Sequence, residues 1–325
     1  MASSALTRRA FLAVTGGAFA ARAASRGRAA TGPTRLVLLG TAGGPTPKLR
    51  RAAPAQALVV GDRVYLVDCG DGVARQMRLA GLPCQHLRAV FVTHHHSDHN
   101  AGYGPLFLLA WASGLESPVD AYGPPPLERM TRLFLEANDF DIQTRMADEE
   151  RPPLAPLVRP HEIGLARTKA RTQRSGGGAA REIFRDDRVR VTCALNHHPP
   201  IEQSFAYRFE TADRSIVISG DTSYAESVRE LARGADVLVH EALYAPYWQR
   251  PGAPQPPAVV RHILASHTDA ADAGRLAAEA GVKTLVLTHF VPSDPPDAVT
   301  DEQWLEAASR HFKGQVILGK DLMEL

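Results

Sequence analysis

The run His94-His95-His96-Ser97-Asp98-His99 puts four imidazoles and a carboxylate within six positions. It follows Ala89-Val90-Phe91-Val92-Thr93, an apolar stretch that reads as a buried strand. An extended chain sends alternate side chains to one side, so His94 and His96 can reach one metal ion while His95 turns away. Asp98 and His99 fall where the chain turns into a helix and can address a second ion. Imidazole with carboxylate is a borderline ligand set that suits zinc and accepts manganese or iron. An exposed polar turn would account for three consecutive histidines. It would explain neither their place at a strand end nor the added Asp98 and His99. A second carboxylate, Asp221, closes the apolar run Ile216-Val217-Ile218-Ser219, where a sheet edge opens into a cleft.

Short apolar runs recur on both sides of this motif and must position it. Residues 35–40, 57–60, 64–68, 88–93, 188–195, 205–210, 215–219, 237–240, 284–288 and 315–318 read as strands. Residues 106–112 read as a helix packed on a sheet. In 269–280, Ala273, Leu276, Ala277 and Ala280 share one helical face, with Gly281 as the stop. Early strands come in succession and later ones alternate with helices, which predicts a sheet sandwich flanked by helices. Two stretches break the pattern. Residues 141–178 are rich in proline, charge and glycine and carry Arg167, Lys169, Arg171 and Arg174, which reads as a long surface excursion. Its basic run could draw in an anionic substrate, although a solvated loop is the commoner reason for such a run. Residues 244–259, with Trp248 and several prolines, read as an irregular loop.

The 325 residues are 44% hydrophobic with a formal net charge of +2, enough for a large core and without the strongly basic balance of many nucleic-acid binders. Cys69, Cys84 and Cys193 stand singly, so neither a disulfide framework nor a thiolate zinc site is indicated. Thr7-Arg8-Arg9-Ala10-Phe11-Leu12 resembles a twin-arginine export signal. A weakly apolar stretch follows, with small-residue cleavage sites at Ala18-Phe19-Ala20 or Ala21-Arg22-Ala23. The expectation is a signal peptide over 1–30, a single folded domain over 31–325, and a periplasmic or secreted product; a disordered basic tail is the alternative. The apolar stretch is too short to span a bilayer, so no stable membrane anchor is expected.

His-x-His-x-Asp-His after an apolar strand resembles the signature of the metallo-β-lactamase superfamily. Further parts of that pattern follow in order. Gly40-Thr41-Ala42-Gly43-Gly44-Pro45 and Leu66-Val67-Asp68-Cys69-Gly70-Asp71-Gly72 look like its early strand ends. Asn196-His197-His198-Pro199-Pro200, Ser219-Gly220-Asp221-Thr222 and Leu287-Thr288-His289-Phe290 look like its later ligand stations. The resemblance runs from about Arg35 to the C-terminus outside 141–178. It implies an αββα four-layer sandwich of two mixed β-sheets flanked by helices. It also implies two divalent metal ions, zinc first among the candidates. His94, His96 and one of His197 or His198 would hold the first ion, Pro199-Pro200 favouring His198. Asp98, His99 and His289 would hold the second, with Asp221 bridging both.

Within the superfamily the likeness is to the ribonuclease Z and arylsulfatase branch. Val237-Leu238-Val239-His240-Glu241-Ala242 is similar to its strand ending in His-Glu-Ala, and Ser266-His267-Thr268 to its His-Ser/Thr element. That implies a catalytic His267, oriented by Glu241 and facing the scissile group. Thr268 or Asp269 as a helix cap would be the structural explanation of the same segment. Asp98 could accept a proton from water as well as bind metal. Pro47-Lys48-Leu49-Arg50-Arg51-Ala52 departs from the Pro-x-Lys-x-Arg-Asn loop of ribonuclease Z, and no clear counterpart of its Gly-rich tRNA-gripping arm is visible. With the export signal, these departures turn the expectation to a small anionic ester, arylsulfatase-like. A phosphodiesterase or ribonuclease Z-like endonuclease is the alternative, and a non-catalytic metal-binding descendant the third reading. Nucleic acid is not the favoured partner, and a homodimer is compatible with the fold.

Overall fold

The computed structural model describes residues 33–165, 180–252, 255–295 and 298–325. The export-signal expectation over 1–30 and the basic run of Arg167, Lys169, Arg171 and Arg174 therefore lie outside the described residues. β1 (Arg35–Gly40), β2 (Ala55–Val60), β3 (Arg63–Val67), β4 (Leu87–Phe91), β5 (Val119–Gly123) and β6 (Val158–Glu162) form one sheet in that order. β7 (Arg181–Arg185), β8 (Arg190–Leu195), β9 (Phe205–Glu210), β10 (Ser215–Ile218), β11 (Val237–Leu243), β12 (Thr284–Val291) and β13 (Gln315–Leu318) form the other. The short C-terminal β14 (Met323–Glu324) returns to pair antiparallel with β1.

Both sheets are mixed. β1 to β3 are antiparallel and β3 to β6 parallel. β7 to β10 are antiparallel and β10 to β13 parallel. The parallel strands carry their C-terminal ends to one edge, which is where open α/β sheets place ligands. Helices α1 (Val73–Leu79), α2 (Ser97–Asn100), α3 (Tyr103–Ala112), α4 (Leu127–Ala137) and α5 (Asp139–Asp148) follow strands of the first sheet. α6 (Glu226–Ala232), α7 (Ala245–Gln249), α8 (Pro257–Ser266), α9 (Ala270–Ala280) and α10 (Asp301–Ser309) lie among strands of the second.

Alternation along the strands divides the apolar side chains into layers. In β1, Leu36 and Leu38 join Phe91, Phe205, Tyr207, Val239 and Val286 between the sheets. Val37 and Leu39 face the other way and pack with Leu106, Phe107 and Trp111 of α3. On the far side of the second sheet, Leu238 and Leu285 meet Leu276 of α9 and Trp304 of α10. Helix, sheet, sheet and helix therefore stack as the resemblance implied.

Two expectations need correction. The stretch 141–178 is not one surface excursion. It includes most of α5 and all of β6, and Ile142, Leu154, Leu157 and Val158 are buried with the first sheet's outer layer. These apolar residues are widely spaced among charges, and Arg145 pairs with Asp141 and Glu149 along α5, so no apolar period stood out. The stretch 244–259 is not an irregular loop either: it holds α7 and the start of α8. Pro246 and Pro257 occupy first-turn positions, where a missing N–H costs no helical bond. No helix among the described residues is long and apolar enough to cross a membrane.

Candidate metal centre and active site

Seven of the side chains singled out in the sequence converge at the C-terminal ends of the parallel strands. His94 Nε2 lies 3.0 Å from His96 Nδ1, which lies 3.2 Å from His198 Nε2. Asp221 Oδ2 is 3.9 Å from His94 Nε2. In the second group, His99 Nε2 is 3.3 Å from His289 Nε2 and 3.5 Å from Asp98 Oδ2. His289 Nε2 lies 3.2 Å from Asp221 Oδ2. Within each group of four, one ligand atom per residue falls within 4.8 Å of the others, and Asp221 belongs to both groups. His198 is the histidine that joins them. Its neighbour His197 turns its Nδ1 to Ser223 Oγ, 2.6 Å away.

The surroundings fix which ring nitrogens carry lone pairs. Thr93 Oγ1 donates to Asp68 Oδ2 at 3.0 Å, so it accepts from His94 Nδ1–H at 3.0 Å. His99 Nδ1–H donates to Asp68 Oδ2 at 2.8 Å, and His198 Nδ1–H to the Ser266 carbonyl at 2.9 Å. In their neutral forms all three rings therefore present a bare Nε2 to the centre. Lone pairs facing one another and two carboxylates repel, and a cation among them removes the repulsion. The protonation tendencies carry the same message. Burial holds His94 well below its ordinary value and His198 down to about 3. Burial also opposes charge on His99, yet Asp221, Asp68 and Asp98 together push it well above the usual imidazole range. Asp98 is burdened by burial too, but His99 and His289 bring it down to about 2. The set calls for positive charge at its middle and has the donors to hold it.

Backbone geometry aims these groups. β11 and β12 pair Glu241 with Thr288 and Ala242 with Phe290, which leaves His289 as the extra residue of a bulge. Its φ of 44° is left-handed, a conformation a histidine adopts at a cost. Asp68, at φ 61°, bends the same way after β3. Its carboxylate then accepts from Thr93 N at 2.8 Å as well as from Thr93 Oγ1 and His99. The sequence marked Asp68 only as part of a strand end and missed this orienting role. The available signal was an aspartate directly after a buried strand.

His267 and Glu241 meet as well. His267 Nδ1 is 3.0 Å from Glu241 Oε1, and that oxygen also accepts from Thr222 N at 2.9 Å. Burial opposes charge on His267, but Glu241, with Asp221 and Asp98, raises it to about 9. Helix capping falls to a different residue: Asp269 Oδ1 accepts from Ala271 N at 2.9 Å at the start of α9. His95 faces away from the centre and donates from Nε2 to the Pro124 carbonyl at 2.7 Å. A cleft of about 560 Å³ opens over the centre, lined on that side by His96, Asp98, Asp221, His267 and His289. His262, not picked out in the sequence, lines it too.

This fold and this double cluster define a class, and the chain belongs to it: the β-lactamase superfamily domain matches residues 63–290, and the chain is a member of the metallo-β-lactamase superfamily. Within it the likeness is to ribonuclease Z. The chain is 34% identical over 291 residues to ribonuclease Z of Mycobacterium sp. (strain KMS), covering 88% of this chain and 94% of that protein. Human tRNase Z, short form, superposes with a TM-score of 0.63 at 23% identity, over 90% of this chain and 98% of that one. The metallo-β-lactamase fold protein YhfI from Bacillus subtilis gives the same TM-score and identity, over 90% and 99%. These two structures share the fold. The chain is a metal-dependent hydrolase of ester bonds.

Proposed function

We propose that this chain is a phosphodiesterase of the ribonuclease Z type that works with two divalent cations, zinc first among the candidates. The observation that carries the reading is the His267–Glu241 pair beside two ligand clusters that share Asp221. Such a site can hold an anion, provide a nucleophile and protonate a leaving group. The relatives named ribonuclease Z, matched over 88% of the chain, support a phosphodiester over the aryl sulfate that the departures at 47–52 suggested.

His94, His96 and His198 would hold one ion, Asp98, His99 and His289 the other, and Asp221 both. Bound there, two cations would lower the pKa of a water toward neutrality and offset charge that develops on the ester oxygens. Asp98, facing the same cleft, is placed to accept a proton from water. His267, kept protonated by Glu241, donates to the departing oxygen. The buried carboxylate of Glu241 holds that ring in one orientation through Nδ1, leaving Nε2 for the substrate. For residues 1–30 we propose export by the twin-arginine route, which would separate the enzyme from cytoplasmic tRNA.

The test is a side-by-side assay of metal-loaded protein on an aryl phosphodiester, an aryl sulfate and a precursor tRNA with a 3′ trailer. The expected order places the phosphodiester well above the sulfate. A sulfate rate equal to or above the phosphodiester rate overturns the reading. The tRNA arm reports whether a polynucleotide is accepted.

A further inference from the structure

The cleft over the metal centre has two unlike walls. One side is the charged floor already described. The other is apolar, built by Trp248 of α7, Val259 and Ile263 of α8, and Val291 at the end of β12. Val259, His262, Ile263 and Ser266 fall at i, i+3, i+4 and i+7, so one face of α8 runs along the cleft toward His267. Trp248 donates its indole N–H to the Val291 carbonyl at 3.3 Å, which spends its only polar atom within the protein. Val259 is 39% exposed although apolar. Lys48 is the single lysine or arginine among the described residues that line the cleft.

These features bear on what accompanies the scissile phosphate. A polynucleotide track needs a succession of cations along its backbone, and among the described residues this cleft supplies only Lys48 and the protonated His267 beside the metal centre. Its volume of about 560 Å³ lies within the range of small-ligand sites. In the proposed reaction the departing ester oxygen of a phosphate on the floor would face His267. Its second substituent would then lie along the cleft, where Trp248, Val259, Ile263 and Val291 line it. Resting on the phosphodiesterase reading, we propose that the α7–α8 wall is a subsite for an uncharged, aromatic or apolar arm of a small phosphodiester. The substrate is thus a compact diester with a flat or apolar non-leaving group, and α8 sets that preference.

Calorimetric binding of diphenyl phosphate and of dimethyl phosphate, whose poor leaving groups slow their hydrolysis, to the metal-loaded full chain tests the subsite by affinity as well as by rate. Diphenyl phosphate is expected to bind roughly tenfold or more tightly, from the apolar area it covers. Ile263→Asp and, at the more exposed position, Val259→Asp should each erase most of that advantage, and Val259→Ile should keep it. In kinetics, bis(4-nitrophenyl) phosphate and methyl 4-nitrophenyl phosphate share a leaving group and differ only in the arm. Their kcat/KM ratio should fall by the same factor in both aspartate variants. Equal affinity for the two phosphates in the wild-type protein, or a ratio unmoved by both variants, overturns the subsite. Should aryl sulfates prove the better substrates, the phosphodiesterase reading fails separately. The affinities of the two phosphates still test the wall in that case, since a sulfate monoester has no non-leaving arm to place there.

Discussion

His267 is the residue whose chemistry is most open to measurement. Its pKa of about 9 lies above the ordinary imidazole value, so the protonated donor form prevails at neutral pH and is lost as pH rises through about 9. Cations bound nearby disfavour another positive charge, so the basic limb of the pH–rate profile should lie below that value. Glu241→Gln removes the charge that opposes the burial effect and should move the limb to still lower pH. His267→Ala should lower turnover by ~10²–10⁴ with metal content unchanged, and less for esters with very good leaving groups. Unaltered turnover across good and poor leaving groups would leave His267 a structural residue. Within the motif, Asp98→Ala should abolish hydrolysis. His95→Ala should keep most of it, losing about 1 kcal/mol of stability with the Pro124 hydrogen bond. A His95→Ala loss as deep as that of His96→Ala would break the assignment by alternation. Seven candidate ligands and His267 were legible in the sequence because each sits at a strand end or in a short motif. Asp68 was not, because its role depends on a left-handed backbone and on Thr93, which lies 25 positions away.

At the scale of elements, strand ends were legible where burial is continuous. β1, β9 and β13 begin and end where the apolar runs do. The bulge in β12 was not, since no residue type announces it and only the pairing with β11 exposes it. α7 and α8 were hidden by prolines that start helices here instead of breaking them. The α9 boundary came out well, with Gly281 left-handed at its end. Its start gives a test that separates scaffold from chemistry. Asp269 caps α9 and accepts from Ala245 N at 2.9 Å, tying the start of α7 to α9. Asp269→Ala should cost about 1–2 kcal/mol of stability, seen as a lower Tm, while turnover per folded molecule on methyl 4-nitrophenyl phosphate holds. A large fall in turnover without a fall in Tm would assign Asp269 to the chemistry.

Among the described residues two sheets pack face to face, and the candidate ligands at their strand ends are shared between them. His94, His96, Asp98 and His99 follow β4 of one sheet, whereas His198, Asp221 and His289 come from the other. Residues 1–30 present a separate question, for which Arg8→Lys with Arg9→Lys should leave an uncut precursor in the cytoplasm; mature protein outside the cytoplasm despite both changes would reject the twin-arginine route. For the folded part, cations that bind only the native arrangement would cross-link the sheets and stabilise it by RT ln(1 + [L]/Kd) per site, about 4 kcal/mol for each site at a thousandfold excess over Kd. Chelation should therefore lower Tm, on the order of 10 °C at such an excess, and metal analysis should return two ions per chain. The effect should also depend on pH. Without cations, protonated His99 offsets the charge of Asp68, Asp98 and Asp221, and its raised pKa gives stability that is present at low pH and lost as pH rises. Metal binding runs the other way, because imidazole ligands must be deprotonated. The gap in Tm between loaded and chelated protein should thus widen from pH 6 to pH 9. A gap that narrows with rising pH, or no gap at all with one ion per chain, would mean that protons and metal do not compete for this cluster, and the dinuclear centre would fall with that result.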